Sequence, residues 1–173
     1  MFSTLHEGWA LFEPYLKTYG AIAIFVMVYL ESLGSPLPGE TGVIAASLLA
    51  SKGELNILTL YPAVLFAAIL GDSTGYWIGR LGGHTLLRKF GPYIGLTSQV
   101  LSTIEARFQK GGLWIVMFAR FVPVLRQLNG LVAGSLGLPF PLFLMAQSAG
   151  ALLWTSLYCL GPYFFGELFH HLG

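Results

Sequence analysis

Apolar residues in this chain fall into blocks of two lengths. Two blocks are unbroken: ILTLYPAVLFAAILGDSTGYWI, from about Ile57 to Ile78, and FPLFLMAQSAGALLWTSLYCL, from about Phe140 to Leu160. A helix needs about 20 mostly apolar residues to cross a bilayer core, so both are predicted to span it. The first contains one acid, Asp72, and the second no charge. Trp77, Tyr61, Tyr158 and Tyr163 fall near their ends, where an aromatic belt is expected. Two further apolar regions, residues 20–50 and 112–137, are interrupted at their centres, by ESLGSPLPGE and by the stretch around Arg120, Pro123 and Arg126. Each half is about 10 residues, or roughly 15 Å of helix, about half the hydrocarbon thickness. Proline removes a backbone donor and clashes with the preceding turn. The pattern therefore predicts two re-entrant helical hairpins, one turning at Pro36, Pro38 and Gly39 and the other at Pro123. Irregular backbone at that depth survives only where it is buried in protein or lines a water-filled cavity.

Hairpin then span, twice over, makes a repeat. The spans align Pro62 with Pro141 and Gly71 with Gly150, and Ala46-Ser47-Leu48 matches Gly134-Ser135-Leu136. One membrane domain over residues 1–173 is expected, with repeats at about 20–79 and 112–161 and a basic loop at 80–111. That loop carries Arg80, Arg88, Lys89, Arg107 and Lys110 against Glu105, which places it in the cytoplasm by the positive-inside rule. The two repeats are then inverted relative to one another. Val100, Leu101, Ile104 and Phe108, after a cap at Thr97 or Ser98, make a one-sided stripe that predicts a central amphipathic helix. The first 20 residues lack the charged start and cleavage site of a signal peptide and suit an interfacial helix. Composition agrees with a polytopic integral membrane protein, all-α by the pattern above. Charged residues are 10% of the chain, against about 25% in soluble domains, and mean hydropathy is +0.70. A net charge of +1 argues against a nucleic-acid partner, and the single cysteine, Cys159, excludes an intrachain disulfide.

Charges in the apolar blocks carry the chemistry. Glu31, Glu40, Arg120 and Arg126 would together cost about 10–14 kcal/mol if each were buried unpaired at mid-membrane. The economical expectation is that the hairpin tips meet and the four charges neutralise one another. A purely structural ion-pair lock is the bland alternative. Arginine rather than lysine favours a phosphate, because guanidinium is a rigid fork of donors that stays charged. The tip ARFVPVLRQLNG thus makes a candidate anion seat, with Gln127 and Asn129 as neutral donors. Burial opposes ionisation of Glu31 and Glu40 while arginine favours it, so both are candidate proton-exchanging or gating groups. Asp72 joins them, its bland alternative being a bond to backbone or to Arg80. Gly71, Gly75 and Gly79 are spaced for close helix contact. GDSTG resembles a serine-protease loop, yet none of the histidines (6, 84, 170 and 171) lies in a span. No catalytic triad, metal site or cofactor is expected.

Phe118-Ala-Arg-Phe-Val-Pro-Val-Leu-Arg126 followed by Ala133-Gly134 resembles the F-x-R-F-x-P-x-x-R…A-G signature of the DedA family, also called SNARE-associated or VTT-domain proteins. Gly71-Asp-Ser-Thr-Gly-Tyr-Trp-Ile-Gly-Arg80 resembles its G-D-x-x-G-Y-x-x-G-R block, and the first hairpin its acid–Pro-Gly-acid turn. In two respects the chain departs from the family pattern: the Glu31–Glu40 spacing is shorter, and a further C-terminal helix is not evident. The resemblance implies facing re-entrant hairpins and movement of phospholipids or polyprenyl phosphates, undecaprenyl phosphate among them, between leaflets. It also implies dependence on proton motive force and on embedded acids and arginines, here Glu31, Glu40, Arg120 and Arg126. A non-enzymatic lipid-phosphate flippase with lipid and protons as partners is the leading expectation. A phospholipid scramblase, a proton-coupled cation antiporter and a membrane scaffold remain alternatives.

Overall fold

A computed structural model describes residues 19–90 and 98–172. The predicted interfacial helix at the N-terminus lies outside the described residues, as do the side chains of Val100, Leu101, Ile104 and Phe108 in the central stripe. The described residues are helical throughout, joined by short turns. The helices are α1 (Tyr19–Ser32), α2 (Gly39–Ser51), α3 (Ile57–Phe90), α4 (Ser98–Phe118), α5 (Pro123–Ser135), α6 (Phe140–Thr155) and α7 (Gly161–Leu172). A 3₁₀ turn, Ala119–Phe121, precedes α5, and a π-helical stretch, Ser156–Leu160, joins α6 to α7. Two stretches, Ile57–Gly82 and Phe140–Leu168, are long and apolar enough to cross a membrane.

Both are longer than the hydropathy pattern predicts. α3 runs on through Arg80 and the Gly82-Gly83 pair to Phe90, because no proline interrupts it after Pro62. Beyond Leu160 the second helix continues past Gly161-Pro162, because the π stretch just before the proline takes up the break in the backbone hydrogen-bond ladder. α4 is two helices in direction. At Gly112, with φ 51 and ψ −134, the backbone leaves helical space, which glycine alone does without strain.

α2 and α5 are matched pieces of 13 residues each. Both end in the same stop. Glu54 N–H bonds the Leu49 carbonyl at 3.0 Å and Gly53 N–H the Ala50 carbonyl at 3.0 Å. At the end of α5, Leu138 N–H bonds Ala133 at 3.1 Å and Gly137 N–H bonds Gly134 at 3.0 Å. This is the Schellman pattern, with a left-handed residue just past the helix. α1 closes in the same way at Gly34, φ 101, with Ser35 N–H on the Leu30 carbonyl at 3.1 Å. The turn between α1 and α2 therefore begins at Gly34, ahead of the expected Pro36, Pro38 and Gly39. Pro38 is the residue before α2 and Gly39 the first residue in it. Pro123 opens α5, and Val122 before it is extended (φ −112, ψ 116), as a residue preceding proline prefers.

The principal packing is α3 along α5, with α6 against α3 and α4, and α2 against the π stretch and α7. α3 and α5 touch backbone to backbone. A Cβ on Gly130 would stand 2.1 Å from the Asp72 carbonyl oxygen, one on Gly134 2.0 Å from that of Tyr76, and one on Gly79 2.1 Å from that of Leu131. The core divides into two apolar clusters. One holds Val28, Val43, Leu60, Val64, Ala68, Ala151 and Trp154; the other holds Tyr76, Val116, Leu128, Val132, Phe143 and Ala146. Outward faces are apolar too: Phe66, Met145, Leu157 and Phe164 are all more than half exposed, which suits lipid and not water.

The crossing yields a test. Gly130→Ala and Gly134→Ala each force backbone apart and lower stability by about 1–3 kcal/mol. Gly161→Ala, where a Cβ meets nothing, is neutral or stabilising. Thermal unfolding of purified protein in detergent reads the difference.

Candidate functional site

The two apolar clusters change over at mid-span. On α3 the switch from Ala68 to Tyr76 occurs across Asp72, and on α6 the switch from Ala146 to Ala151 occurs across Gln147 and Gly150. Among the described residues the buried charge is gathered at this level, Asp72 from the middle of α3 and the rest from helix ends and the 3₁₀ turn. Glu31 lies in the last turn of α1, Glu40 in the first turn of α2, and Arg126 in the first turn of α5. The 3₁₀ turn carries Arg120.

Arg126 joins the tips. Its Nη2 donates to Glu31 Oε1 at 2.6 Å and its Nη1 to Glu40 Oε2 at 3.1 Å. Arg120 takes a different partner: its Nη1 donates to Asp72 Oδ2 at 2.8 Å and its Nη2 to Ser32 Oγ at 3.4 Å. The expected four-charge cluster is thus a five-charge one, in which three carboxylates face two guanidiniums. An excess of one negative charge remains if all are ionised. Asp72 is not paired with Arg80. That residue is two helical turns further on, exposed, with its guanidinium beside Gly137.

Burial ranks the pairs. Arg120 and Asp72 are 2% and 1% exposed at their side chains, whereas Glu40 is 34% exposed. Arg120–Asp72 is an interior lock, and Arg126–Glu40 is the edge of the cluster open to the surroundings. Clearance for Glu31 comes from Gly39, where a Cβ would fall 2.2 Å from Glu31 Oε2. Gly39 therefore makes room for a carboxylate and does not form the turn itself.

The proposed neutral donors are less free than their spacing suggests. Asn129 is buried and gives Nδ2 to the Val116 carbonyl at 3.1 Å, tying α5 to α4. Gln127 is half-buried, with its backbone carbonyl facing Gly34. Sequence reasoning missed three participants. Ser32 lies next to Glu31 and turns to Arg120. Trp154, 1% exposed, places its ring centroid 5.8 Å from the Arg120 guanidinium carbon and 5.2 Å from that of Arg126. Tyr158, expected in an aromatic belt, stacks on Trp154 at 5.0 Å, and its hydroxyl lies beside the Glu40 carboxylate. The π stretch, which adds a residue to the turn, is what Tyr158 sits on. A lone Trp in an uncharged span gives no sequence signal of this kind. Gln147 does: it is an amide in an apolar run, and its Nε2 donates to the Ile69 carbonyl at 3.2 Å. Buried Cys159 takes a hydrogen bond from Ser47 Oγ at 3.4 Å and fills space in the core.

Helical throughout its described residues, with two helices of membrane-crossing length and a buried charge cluster, the structure points to a membrane protein. Comparison with known proteins specifies the kind. The VTT domain matches residues 36–164. The chain belongs to this family, the VTT-domain or DedA proteins. It is 34% identical over 166 residues to an uncharacterized membrane protein of Synechocystis sp., covering 93% of this chain and 76% of that one. An uncharacterized membrane protein of Mycobacterium bovis is 35% identical over 164 residues, covering 91% and 73%. A protein of Staphylococcus aureus named undecaprenyl phosphate transporter A is 32% identical over 149 residues, covering 84% and 73%. No solved structure matches the chain.

The ranking of the pairs predicts unequal costs. Asp72→Asn leaves the Arg120 charge buried without its counter-ion and lowers stability by about 3–5 kcal/mol. Glu40→Gln, at the open edge, costs less than about 1 kcal/mol. Thermal unfolding in detergent at neutral pH measures both.

Proposed function

We propose that the protein moves a lipid phosphate, undecaprenyl phosphate foremost, between the leaflets of the cytoplasmic membrane, without enzymatic turnover. The observation that carries this reading is Arg126, a nearly buried guanidinium held by two carboxylates of which one, Glu40, reaches the open edge. Arg126 and Arg120 hold the phosphate, with Gln127 and Asn129 beside them as neutral donors. Glu31, Glu40 and Asp72 serve as gating or proton-exchanging groups, because a phosphate that takes over a guanidinium weakens its hold on a carboxylate and favours protonation there. The surplus acid in the cluster supports such an exchange. The name of the Staphylococcus aureus relative supports the choice of lipid.

Two re-entrant hairpins and two spans, related by an inverted repeat over about 20–79 and 112–161, give this site its place at mid-membrane. Several matched features support the repeat. α2 and α5 have equal lengths and equal stops. Gly71 abuts Tyr29 and Ser32 at the end of α1, and Gly150 abuts Met117 at the end of α4. Single glycines at corresponding places therefore admit the corresponding hairpin arms. In this arrangement the basic segment 80–111 faces the cytoplasm.

Reconstitution in liposomes tests the reading. Translocation of polyprenyl phosphate, phospholipid and sodium is followed side by side for wild type and Arg126→Ala. Polyprenyl phosphate is expected to move in wild type and to slow by roughly 10- to 100-fold in Arg126→Ala, the worth of charge-assisted hydrogen bonds. An imposed pH gradient changes the wild-type rate. Movement no faster than in empty liposomes, with the protein folded, sinks the proposal. Full function in the swap Glu40→Arg with Arg126→Glu would show that pairing alone suffices, as in a scaffold.

A further inference from the structure

Each arginine of the cluster spends its two terminal nitrogens on protein partners and has its Nε left over. Arg120 Nε and Arg126 Nε are buried and without a hydrogen-bond partner, and so is Trp154 Nε1. These three N–H groups belong to side chains that meet at a single indole, whose centroid lies within 5.8 Å of both guanidinium carbons. An N–H buried without an acceptor costs about 1–3 kcal/mol. The indole nitrogen is a donor only, so it can be satisfied only by an acceptor brought to it. Leucine or phenylalanine would fill apolar space here without that cost. Asp72 Oδ1, Asn129 Oδ1, Gln147 Oε1 and Thr155 Oγ1 are buried without a partner as well. The three unanswered donors, however, are the ones gathered beside one ring, where the oxygens of a ligand would answer them.

We infer that Trp154 is a headgroup-binding residue: its ring lies against both guanidiniums, and its N–H joins their free Nε groups in donating to the oxygens of a phosphate monoester. The inference rests on the lipid-phosphate reading and adds to it a residue and an order of events. Cation–π contact is strongest when desolvated, as at this 1%-exposed ring, and it keeps the two positive charges together despite their repulsion. Because the Nε edges are free while the terminal nitrogens are engaged, a phosphate docks before Glu31, Glu40 or Asp72 lets go. The carboxylates then exchange in a second step. Tyr158, stacked on the same indole and facing Glu40, carries the change at the ring toward the open edge of the cluster.

Two measurements on the full-length protein in nanodiscs test this. First, affinity for a polyprenyl phosphate and for the polyprenyl alcohol of equal chain length is compared in wild type and Trp154→Phe. Loss of one donor from a retained ring lowers phosphate affinity roughly three- to tenfold and leaves alcohol affinity unchanged. A merely structural tryptophan lowers both together or neither, and either result overturns the inference while the lipid-phosphate reading stands. Second, with Trp9, Trp77 and Trp114 replaced by Phe, Trp154 is the sole indole and reports its own surroundings. Its emission is expected to change saturably with the phosphate lipid alone, and not at all in Arg126→Gln. Equal response to the alcohol means that the three donors face water, and it overturns the assignment. If wild type binds no phosphate lipid in the first measurement, the lipid-phosphate reading falls and takes this one with it.

Discussion

Charge cannot be left unpaired in a hydrocarbon medium, and the rest of the structure follows from how this chain meets that demand. Arg126 is bound at once by α1 and α2, through Glu31 and Glu40, while it belongs to α5. Arg120 is bound by α3, through Asp72. Four helices therefore come together at one level, around two side chains that no single helix could satisfy. The glycines where α3 meets α5 exist to let this happen: the Asp72 carboxylate can reach Arg120 only because Gly130 admits the Asp72 backbone. Close packing and charge pairing are one requirement seen from two sides.

The two pairs divide the labour by their depth. The Arg120–Asp72 contact joins two nearly inaccessible side chains, so it is the one that lets go last. Arg126 has one partner inside and one at the edge, which makes it the group whose partners can be traded. A carrier needs both kinds of contact: one that holds while another opens. Buried ion pairs contribute little net stability against apolar replacements; under the proposed function, their retention follows from this conversion between partners.

Much of this was legible in the sequence, because its signals are local and strong. Interrupted apolar runs at 20–50 and 112–137 gave helix, turn and helix, and a proline at 123 marked the start of α5. The pairing of Arg126 with both glutamates, 95 and 86 residues away, followed from the cost of leaving any of them alone. Charge balance did not say which acid meets which arginine, and Asp72 proved to be the partner of Arg120. Spacing did not distinguish a glycine that turns the chain from one that clears space, so Gly34 was missed and Gly39 given the wrong task. Trp154 and Tyr158 were illegible as site residues, since apolar surroundings hide an aromatic whose importance lies in what stands over its face.

The π stretch at Ser156–Leu160 is an α-helix with one residue too many in a turn, which advances everything beyond it by about 100°. Before it, the helix is phased to present Gln147, Gly150 and Trp154 inward; after it, the helix is phased to lay Gly166 against Ser51 at the far end of α2. A strictly regular helix could satisfy one phase or the other. The surplus residue works as a vernier between the charged centre and the apolar end. It follows that this short segment, with no charge of its own, is where a single insertion or deletion would set the two halves of the helix at odds.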